Sequence, residues 1–209
     1  MKKTPWLSTT LLFLIPIIVF GLSLIMGRYP KPGFMPLTTI MEDELAQRLV
    51  LNLRLPRLLT AMLLGMSLSA AGGVMQMLFR NPLVEPGFLG VTQGAGFGAA
   101  LSIIFIGTSP VIVESSATLF AILGMAFSYF IARRIRFGGW VLRLILAGIA
   151  VSAFFSAGLG ILKYLADPTS QLPEITFWLL GGLYSVTWRE LIYILPVVVI
   201  GLAVIVLMR

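Results

Sequence analysis

Long apolar stretches alternate along this chain with short segments that hold most of its charged residues. An α-helix needs about 20 mostly apolar residues to cross the hydrocarbon core of a bilayer. Because backbone groups in lipid must find hydrogen-bond partners within the protein, helices are predicted there rather than strands. Six stretches qualify: residues 7–26, 58–79, 94–112, 117–132, 144–162 and 191–208. The pattern predicts an all-α, polytopic membrane protein with about six transmembrane helices.

Two regions interrupt this pattern. Pro110 and Glu114 predict a turn between the third and fourth stretches. Between Asp167 and Trp188, residues 175–180 are apolar but too few to cross a bilayer, and two glycines follow them. This region predicts a short helix that lies at the outer face of the membrane.

The first apolar stretch follows Lys2 and Lys3, as the core of a signal peptide would. It is longer than a typical signal core, and no small-x-small cleavage pattern ends it. A membrane anchor is therefore favoured over a cleaved leader.

The composition agrees with lipid as the solvent, since 58% of the residues are apolar and only 11% are charged. The sequence has no cysteine, which excludes disulfides and thiolate metal sites. It has no histidine, which argues against haem ligation, zinc sites and imidazole proton relays. No cofactor is expected. The net charge of +7 is attributed to membrane topology rather than to nucleic-acid binding.

The positive-inside rule gives an orientation. Placing the N-terminus inside puts most basic residues on the cytoplasmic side: Lys2, Lys3, Arg80, Arg133, Arg134, Arg136, Arg143 and Arg209. The first outer loop is the exception, with Arg28, Lys31, Arg48, Arg54 and Arg57 beside Glu42, Asp43 and Glu44. Both termini are predicted to be cytoplasmic.

Small residues recur at four-residue spacing on three stretches, and such stripes allow helices to approach closely in lipid. They are Ala61, Gly65, Ser69 and Gly73 on the second stretch, Gly94, Gly98 and Ser102 on the third, and Gly148, Ser152, Ser156 and Gly160 on the fifth. Packing is favoured for the first two stripes. On the fifth stretch a weakly polar translocation pathway for a large solute is equally plausible, because two serines add hydroxyl groups.

No acidic residue lies in the middle of any stretch, although ion-coupled carriers place ionisable groups there. A secondary carrier is thus the weaker alternative, and energy for transport is expected from outside the chain. Gln76 is the conspicuous polar side chain within a stretch and is expected to form an interhelical hydrogen bond. A membrane enzyme would need clustered nucleophiles, acids or metal ligands, and no such constellation is visible, so no catalytic residue is assigned.

Two motifs resemble the permease family of iron-siderophore, haem and cobalamin ABC importers. The first is LRLPRL at residues 53–58, and the second is QMLFRNPLVEPGFLGVTQGAG at residues 76–96. Leu-Ala-Gly at 146–148 and FWLLGG at 177–182 agree with them. The resemblance covers essentially the whole chain and is sharpest over residues 53–96.

The resemblance implies a multi-pass protein of the bacterial inner membrane with ten spans per subunit. It also implies a permease homodimer, two cytoplasmic ATPase subunits and a periplasmic or lipid-anchored substrate-binding protein. Residues 1–209 would then form a single permease domain that lacks the last four spans and the ATPase-docking segment of the family. A truncated, non-transporting subunit is the alternative that this departure raises.

The resemblance also assigns site residues. Arg54 and Arg57 match the outward-facing arginines that pair with acidic residues of the binding protein; the alternative is that they only mark a helix start near lipid headgroups. Asn81 and Leu83 match the cytoplasmic gate, with a purely structural turn as the alternative. The substrate is expected to be an iron-siderophore because that class is common in the family, while haem, cobalamin and oxyanions such as molybdate stay open.

Overall fold

The structure, a computed structural model, describes residues 6–207, with side chains from Thr10 onward. Its helices are α1 (Trp6–Ile25), α2 (Leu37–Glu42), α3 (Glu44–Arg48), a π-helical segment (Leu49–Arg54), α4 (Leu55–Phe79), α5 (Val91–Phe105), α6 (Pro110–Arg134), α7 (Trp140–Leu165), α8 (Gln171–Leu180) and α9 (Trp188–Leu207). A two-residue hairpin, β1 (Met26–Gly27) and β2 (Gly33–Phe34), follows α1. The prediction of an all-α membrane protein is confirmed. The terminal charges Lys2, Lys3 and Arg209 lie outside the described residues.

Each of the six predicted stretches contains a helix among the described residues. By length and composition, four helical segments suffice to cross a membrane: Glu44–Phe79, Pro110–Arg134, Trp140–Leu165 and Trp188–Leu207. The helices of the other two stretches are apolar over Thr10–Ile25, the part of α1 with described side chains, and over Val91–Phe105.

The predicted turn at Pro110 and Glu114 is wrong by about one helical turn. Helix α5 ends at Phe105 rather than at residue 112, and Pro110 begins α6, which places Glu114 inside that helix. Proline suits the first turn of a helix because its missing N–H would have no intrahelical acceptor there. The chain reverses instead over residues 106–109, where Gly107 has a φ of +150°.

The region 167–188 contains the predicted short helix, α8, which has ten residues. It begins after Asp167, whose Oδ1 accepts hydrogen bonds from the backbone N–H groups of Thr169 and Ser170, both at 2.9 Å. These bonds fix the turn that leads into the helix. Its position relative to the membrane stays a prediction.

The described chain divides into two compact units, and the boundary falls within α4. The first unit comprises the residues up to Ser67 together with those from Leu183 onward. It contains a small core of Met35, Ala46 and Val50 beside the hairpin. The Asp43 carboxylate accepts two hydrogen bonds in this region. Its Oδ1 accepts from the N–H of Leu45 at 2.9 Å, and its Oδ2 accepts from the hydroxyl of Tyr29.

The second unit, residues 68–182, is built around α5, which packs against α6, α7 and α8. The α5–α6 contact is close because Gly98 has no side chain: a β-carbon there would lie 2.6 Å from the carbonyl oxygen of Ser116. The Ser116 hydroxyl donates to the carbonyl oxygen of Gly98 at 2.7 Å. Gly94 and the fully buried Ser102 continue this face, so the predicted packing role of the third stretch is confirmed.

The stripe on the second stretch differs. Ala61, Gly65 and Ser69 are exposed, and a β-carbon on Gly65 or Gly73 would meet nothing within 4 Å among the described residues. The packing predicted for this stripe therefore has no partner within the described part of the chain.

Candidate docking, gate and pathway sites

The two arginines of the LRLPRL motif flank the start of α4 and are half-buried. Arg54 Nη1 donates to the carbonyl oxygen of Leu24, in the last turn of α1, at 3.1 Å. Its guanidinium lies over Gly27, where a β-carbon would collide with it. Arg54 thus ties the end of α1 to the beginning of α4.

Arg57 is held differently. Its Nη2 donates to the carbonyl oxygen of Tyr184, in the segment that precedes α9. Its Nε is buried without a hydrogen-bond partner among the described residues, as is the hydroxyl of Thr60 one turn further on. A guanidinium carries five N–H donors, so each arginine retains several after bonding one backbone carbonyl. Each guanidinium therefore keeps N–H donors that have no partner among the described residues.

The π-helical segment Leu49–Arg54 was not predicted from the sequence. Pro56 has no N–H to donate to the carbonyl four residues earlier, and its ring crowds that carbonyl, which disfavours a regular α-helix here. In the π-helical register each N–H bonds the carbonyl five residues earlier, so Pro56 also leaves the carbonyl oxygen of Leu51 without a backbone donor. That oxygen accepts instead from the indole Nε1 of Trp188 at 2.9 Å. The sequence contains one signal for this segment, the proline of the LRLPRL motif, which interrupts the regular hydrogen bonding of an α-helix. π-Helical turns occur mostly inside α-helices, and often at functional sites.

Helix α4 ends in a Schellman motif. The N–H of Arg80 bonds the carbonyl of Met77 at 3.3 Å, and the N–H of Asn81 bonds that of Gln76 at 3.2 Å. Arg80 occupies the left-handed position, with a φ of +50°, which glycine usually fills. The Gln76 side chain donates to the carbonyl oxygen of Pro82 at 3.1 Å, so its predicted interhelical hydrogen bond is wrong. The side chain stabilises the turn after its own helix instead.

The candidate gate residues lie in this turn. Asn81 Oδ1 accepts from the N–H of Leu83 at 3.0 Å, which closes an Asx turn. Val84 points into the core, whereas the Leu83 side chain is 88% exposed. The geometry therefore gives Asn81 a role in shaping the turn and makes Leu83 the projecting apolar side chain. A gating role for either residue stays a prediction.

The candidate pathway stripe on α7 changes environment along its length. Gly148 is buried, and a β-carbon there would lie 3.0 Å from the carbonyl oxygen of Phe88. Ser152 is half-buried, while Ser156 and Gly160 are exposed. Each four-residue step turns about 40° on an α-helix, so the stripe rotates by roughly 120° over its length. Gly148 therefore serves helix packing in this chain, and the later members face outward.

An apolar groove of about 460 Å³ lies between α5, α6 and α8. It is lined by Val91, Ala95, Glu114, Ala117, Thr118, Ala121, Ile122, Met125 and Trp178. None of the predicted site residues lines it. Among the described residues, no group of three or more acidic, histidine or cysteine side chains is placed to hold a metal ion.

Hydrogen bonds hold the pKa of the carboxyl group that precedes α8 well below its ordinary value. The hydroxyls of Thr169 and Ser170, followed by their backbone N–H groups, lower the pKa of Asp167 to about 2. Hydrogen bonds donated to a carboxylate favour its charged form. The turn into α8 therefore carries a full negative charge at neutral pH.

The sequence matches the FecCD transport family over residues 13–209. It is 36% identical over 195 residues to the molybdate import system permease protein MolB of Haemophilus influenzae, covering 85% of this chain and 57% of that protein. Identity to the hemin transport system permease protein HmuU of Yersinia pestis is 36% over 199 residues, or 92% of this chain and 59% of that protein. Identity to the vitamin B12 import system permease protein BtuC of Serratia proteamaculans is 40% over 151 residues, or 71% of this chain and 44% of that protein. The chain thus spans about half the length of the curated relatives it matches.

A solved structure of an ABC transporter is also similar to this chain. It is described as an inward-facing conformation of a metal-chelate type ABC transporter, and it matches this chain with a TM-score of 0.78 at 34% sequence identity. The match covers 90% of this chain and 57% of that one. The resemblance predicted from the motifs at residues 53–58 and 76–96 is confirmed.

Proposed function

Because this chain belongs to the FecCD transport family, we propose that it forms part of the permease subunit of an ABC importer, moving a metal chelate from the periplasm to the cytoplasm. Energy comes from ATP hydrolysis in partner subunits, and the permease itself changes no bond in the substrate. The observation that carries the proposal is the arginine pair at the start of α4. Each guanidinium is anchored to one backbone carbonyl and keeps further donors for an external carboxylate.

The arginine pair is the proposed docking site for a substrate-binding protein. Planar guanidiniums hold carboxylates with two parallel hydrogen bonds, which gives both affinity and orientation. Anchoring to Leu24 and Tyr184 restricts the rotamers of both side chains before docking. Less conformational entropy is then lost when the partner binds.

The other partners are a second permease copy and two cytoplasmic ATPase subunits. With both termini in the cytoplasm, Arg54 and Arg57 face the periplasm, and the turn of Asn81 and Leu83 faces the cytoplasm. Leu83 supports the gate assignment because it is exposed and apolar, as a hydrophobic constriction requires. Ser152, Ser156 and Gly160 of α7 provide the weakly polar wall of the pathway, and Gly148 holds α7 against the backbone of Phe88.

The substrate is proposed to be an iron-siderophore. The relatives are named for molybdate, hemin and vitamin B12, so the family accepts anions as well as large metal complexes. A pathway lined by glycine and serine makes few specific contacts. Selection therefore falls to the binding protein that delivers the substrate.

Uptake by proteoliposomes tests the transport proposal. The permease, its ATPase and its binding protein are reconstituted, and uptake of radiolabelled iron-siderophore, haem, cobalamin and molybdate is measured with ATP inside. We expect uptake of one substrate that requires both ATP and the binding protein. Uptake that collapses with an uncoupler at constant ATP would instead establish a secondary carrier. Uptake of none of the four, alongside intact ATPase binding, would contradict the substrate class, and loss of ATPase binding would indicate a non-transporting subunit.

Docking is tested separately. Replacing Arg54 or Arg57 by alanine should weaken binding-protein affinity by about 2 kcal/mol each, or roughly thirtyfold, mainly through faster dissociation. The exposed Arg189, which bonds no acidic side chain within the described residues, provides the matched control Arg189→Ala. Unchanged affinity in both variants at low salt would refute the docking assignment. Thermal unfolding of each variant separates a docking defect from loss of structure.

A further inference from the structure

The turn between α6 and α7 concentrates positive charge. Arg133 and Arg134 are the last two residues of α6, Arg136 lies in the link, and Arg143 is in the first turn of α7. The sequence has no acidic residue between Glu114 and Asp167. None of these four arginines forms a salt bridge among the described residues.

Two of the four guanidiniums have internal contacts. The Arg133 guanidinium carbon lies 5.7 Å from the ring centroid of Tyr129, and Arg143 Nε donates to the carbonyl oxygen of Gly138 at 2.9 Å. Arg134 and Arg136 are exposed and have neither a hydrogen bond nor an ion pair among the described residues. The guanidinium groups of Arg134 and Arg136 thus keep all their N–H donors for an external anion.

Exposed aromatic side chains surround the same turn. Tyr129 makes an edge-to-face contact with Trp140, with centroids 5.8 Å apart, and Phe137 in the link is 64% exposed. Amphipathic aromatic rings are enriched where a span meets the headgroup region. The link has five residues between two helices that are long enough to cross a membrane, so it cannot extend far from the bilayer surface.

A further arginine lies at this end of the unit. Phe79, which precedes Arg80, packs in one buried cluster with Ala132 and Leu144, at the ends of α6 and α7 that meet this turn. Arg80 is exposed and adopts the left-handed conformation, in which glycine would be unstrained. Arg80 thus adds another positive charge to this end of the unit, although its left-handed backbone conformation is sterically unfavourable.

We propose that this surface, formed by Arg80, Arg133, Arg134, Arg136, Arg143 and the aromatic side chains of Tyr129, Phe137 and Trp140, binds the phosphodiester headgroups of anionic phospholipids. Guanidiniums bind phosphate oxygens through paired N–H donors, and aromatic rings sit at the level of the headgroups. A bilayer fits better than an acidic protein surface, because the cations and the exposed rings sit together where two spans end. The proposal goes beyond transport and does not depend on it.

Lipid binding to the purified permease in a neutral detergent tests the proposal by native mass spectrometry. Phosphatidylglycerol should bind more tightly than phosphatidylcholine. Arg134→Gln combined with Arg136→Gln should weaken phosphatidylglycerol binding by about thirtyfold, the contribution expected of two guanidiniums at a membrane surface. Both side chains are exposed and unbonded, so the fold should be unaffected, as circular dichroism can verify. Lysine at both positions keeps the charge but not the fork, and should restore part of the affinity.

The matched control is Arg28→Gln with Lys31→Gln, which removes two exposed cations from the hairpin after α1. Its phosphatidylglycerol affinity should equal that of the unmodified protein. Equal loss in the control, or no preference for phosphatidylglycerol, would overturn the proposal. Full competition by inorganic phosphate would identify a free-phosphate site instead. Loss of ATPase binding in the Arg134 and Arg136 variant, with lipid binding unchanged, would identify a protein interface.

Discussion

The guanidinium of Arg54 occupies the space beside Gly27 that a β-carbon would need, and from there it bonds the carbonyl oxygen of Leu24. Because Gly27 has no side chain, it leaves room for the guanidinium of Arg54, one of the two candidate docking arginines, in this position. The arrangement requires a glycine on the hairpin strand that follows α1.

Gly27→Ala should therefore displace the Arg54 side chain while leaving the backbone in place, because the colliding atoms are the flexible end of that side chain. We expect a small stability loss, of about 1 kcal/mol for the lost hydrogen bond. If Arg54 is a docking residue, affinity for the binding protein should fall nearly as far as in Arg54→Ala. Surface plasmon resonance against the immobilised binding protein measures both variants.

Gly21→Ala is the control, since a β-carbon at Gly21 would meet nothing within 4 Å among the described residues. It should leave docking unchanged. Wild-type affinity in Gly27→Ala would show that the position of the Arg54 guanidinium does not matter for docking.

Trp188→Phe should destabilise the π-helical segment by about 1 kcal/mol, because it removes the indole N–H that bonds the carbonyl oxygen of Leu51 while keeping an aromatic ring. Hydrogen exchange should become faster over residues 49–54. Trp178→Phe is the matched control, since the Trp178 indole makes no hydrogen bond among the described residues. Equal exchange in both variants would show that Trp188 does not support this segment.

The helices could be predicted from the sequence because a membrane span needs a minimum length of apolar residues. Within each stretch, an α-helix satisfies the hydrogen bonds of its own backbone. The π-helical segment could not be predicted from the sequence. Pro56 indicates that the regular hydrogen-bond pattern of the helix is interrupted, but not which donor will bond the carbonyl that is left free. That donor, Trp188, lies 137 residues along the chain from Leu51. Pro110 was ambiguous for a related reason, because proline both ends helices and begins them.

The candidate sites were predictable as motifs but not as contacts. The arginine pair could be identified from residues 53–58, yet the acceptors of Arg54 and Arg57 lie in distant segments and depend on tertiary structure. Gln76 illustrates the opposite case. A polar side chain in an apolar helix suggested a neighbouring helix, but the Schellman turn brought the carbonyl of Pro82 within 3.1 Å.

Acid should loosen the turn before α8. The pKa of Asp167 is lowered to about 2, below its ordinary value of 3.8, so the stabilisation is complete above the unfolded pKa and is lost as the pH falls through about 2. The protection factors for hydrogen exchange of residues 167–172, which correct for the intrinsic pH dependence of exchange, should fall between about pH 4 and pH 2. Asp167→Asn should remove this pH dependence. An unchanged acid response in that variant would place the titrating group elsewhere.

Arg80→Gly should raise the stability of the turn after α4 by about 1 kcal/mol, because glycine adopts the left-handed conformation without the steric cost that Arg80 bears at a φ of +50°. A rise in melting temperature in neutral detergent measures it. Arg80→Ala is the matched comparison, since it removes the same charge but keeps a β-carbon, and it should give no such rise. Equal melting temperatures for the two variants would show that backbone strain at Arg80 contributes nothing.

Leu83→Ser tests the gate. If Leu83 forms part of a hydrophobic constriction, a hydroxyl there should hydrate it and permit substrate leak without ATP. The side chain is 88% exposed, so its loss should cost little stability, and a leak can be attributed to the constriction rather than to unfolding. Leu180→Ser, at a leucine that is 75% exposed at the end of α8, is the matched control. Efflux of preloaded substrate from proteoliposomes without ATP should rise in Leu83→Ser alone, whereas equal efflux in both variants would leave the Asn81–Leu83 turn with a structural role only.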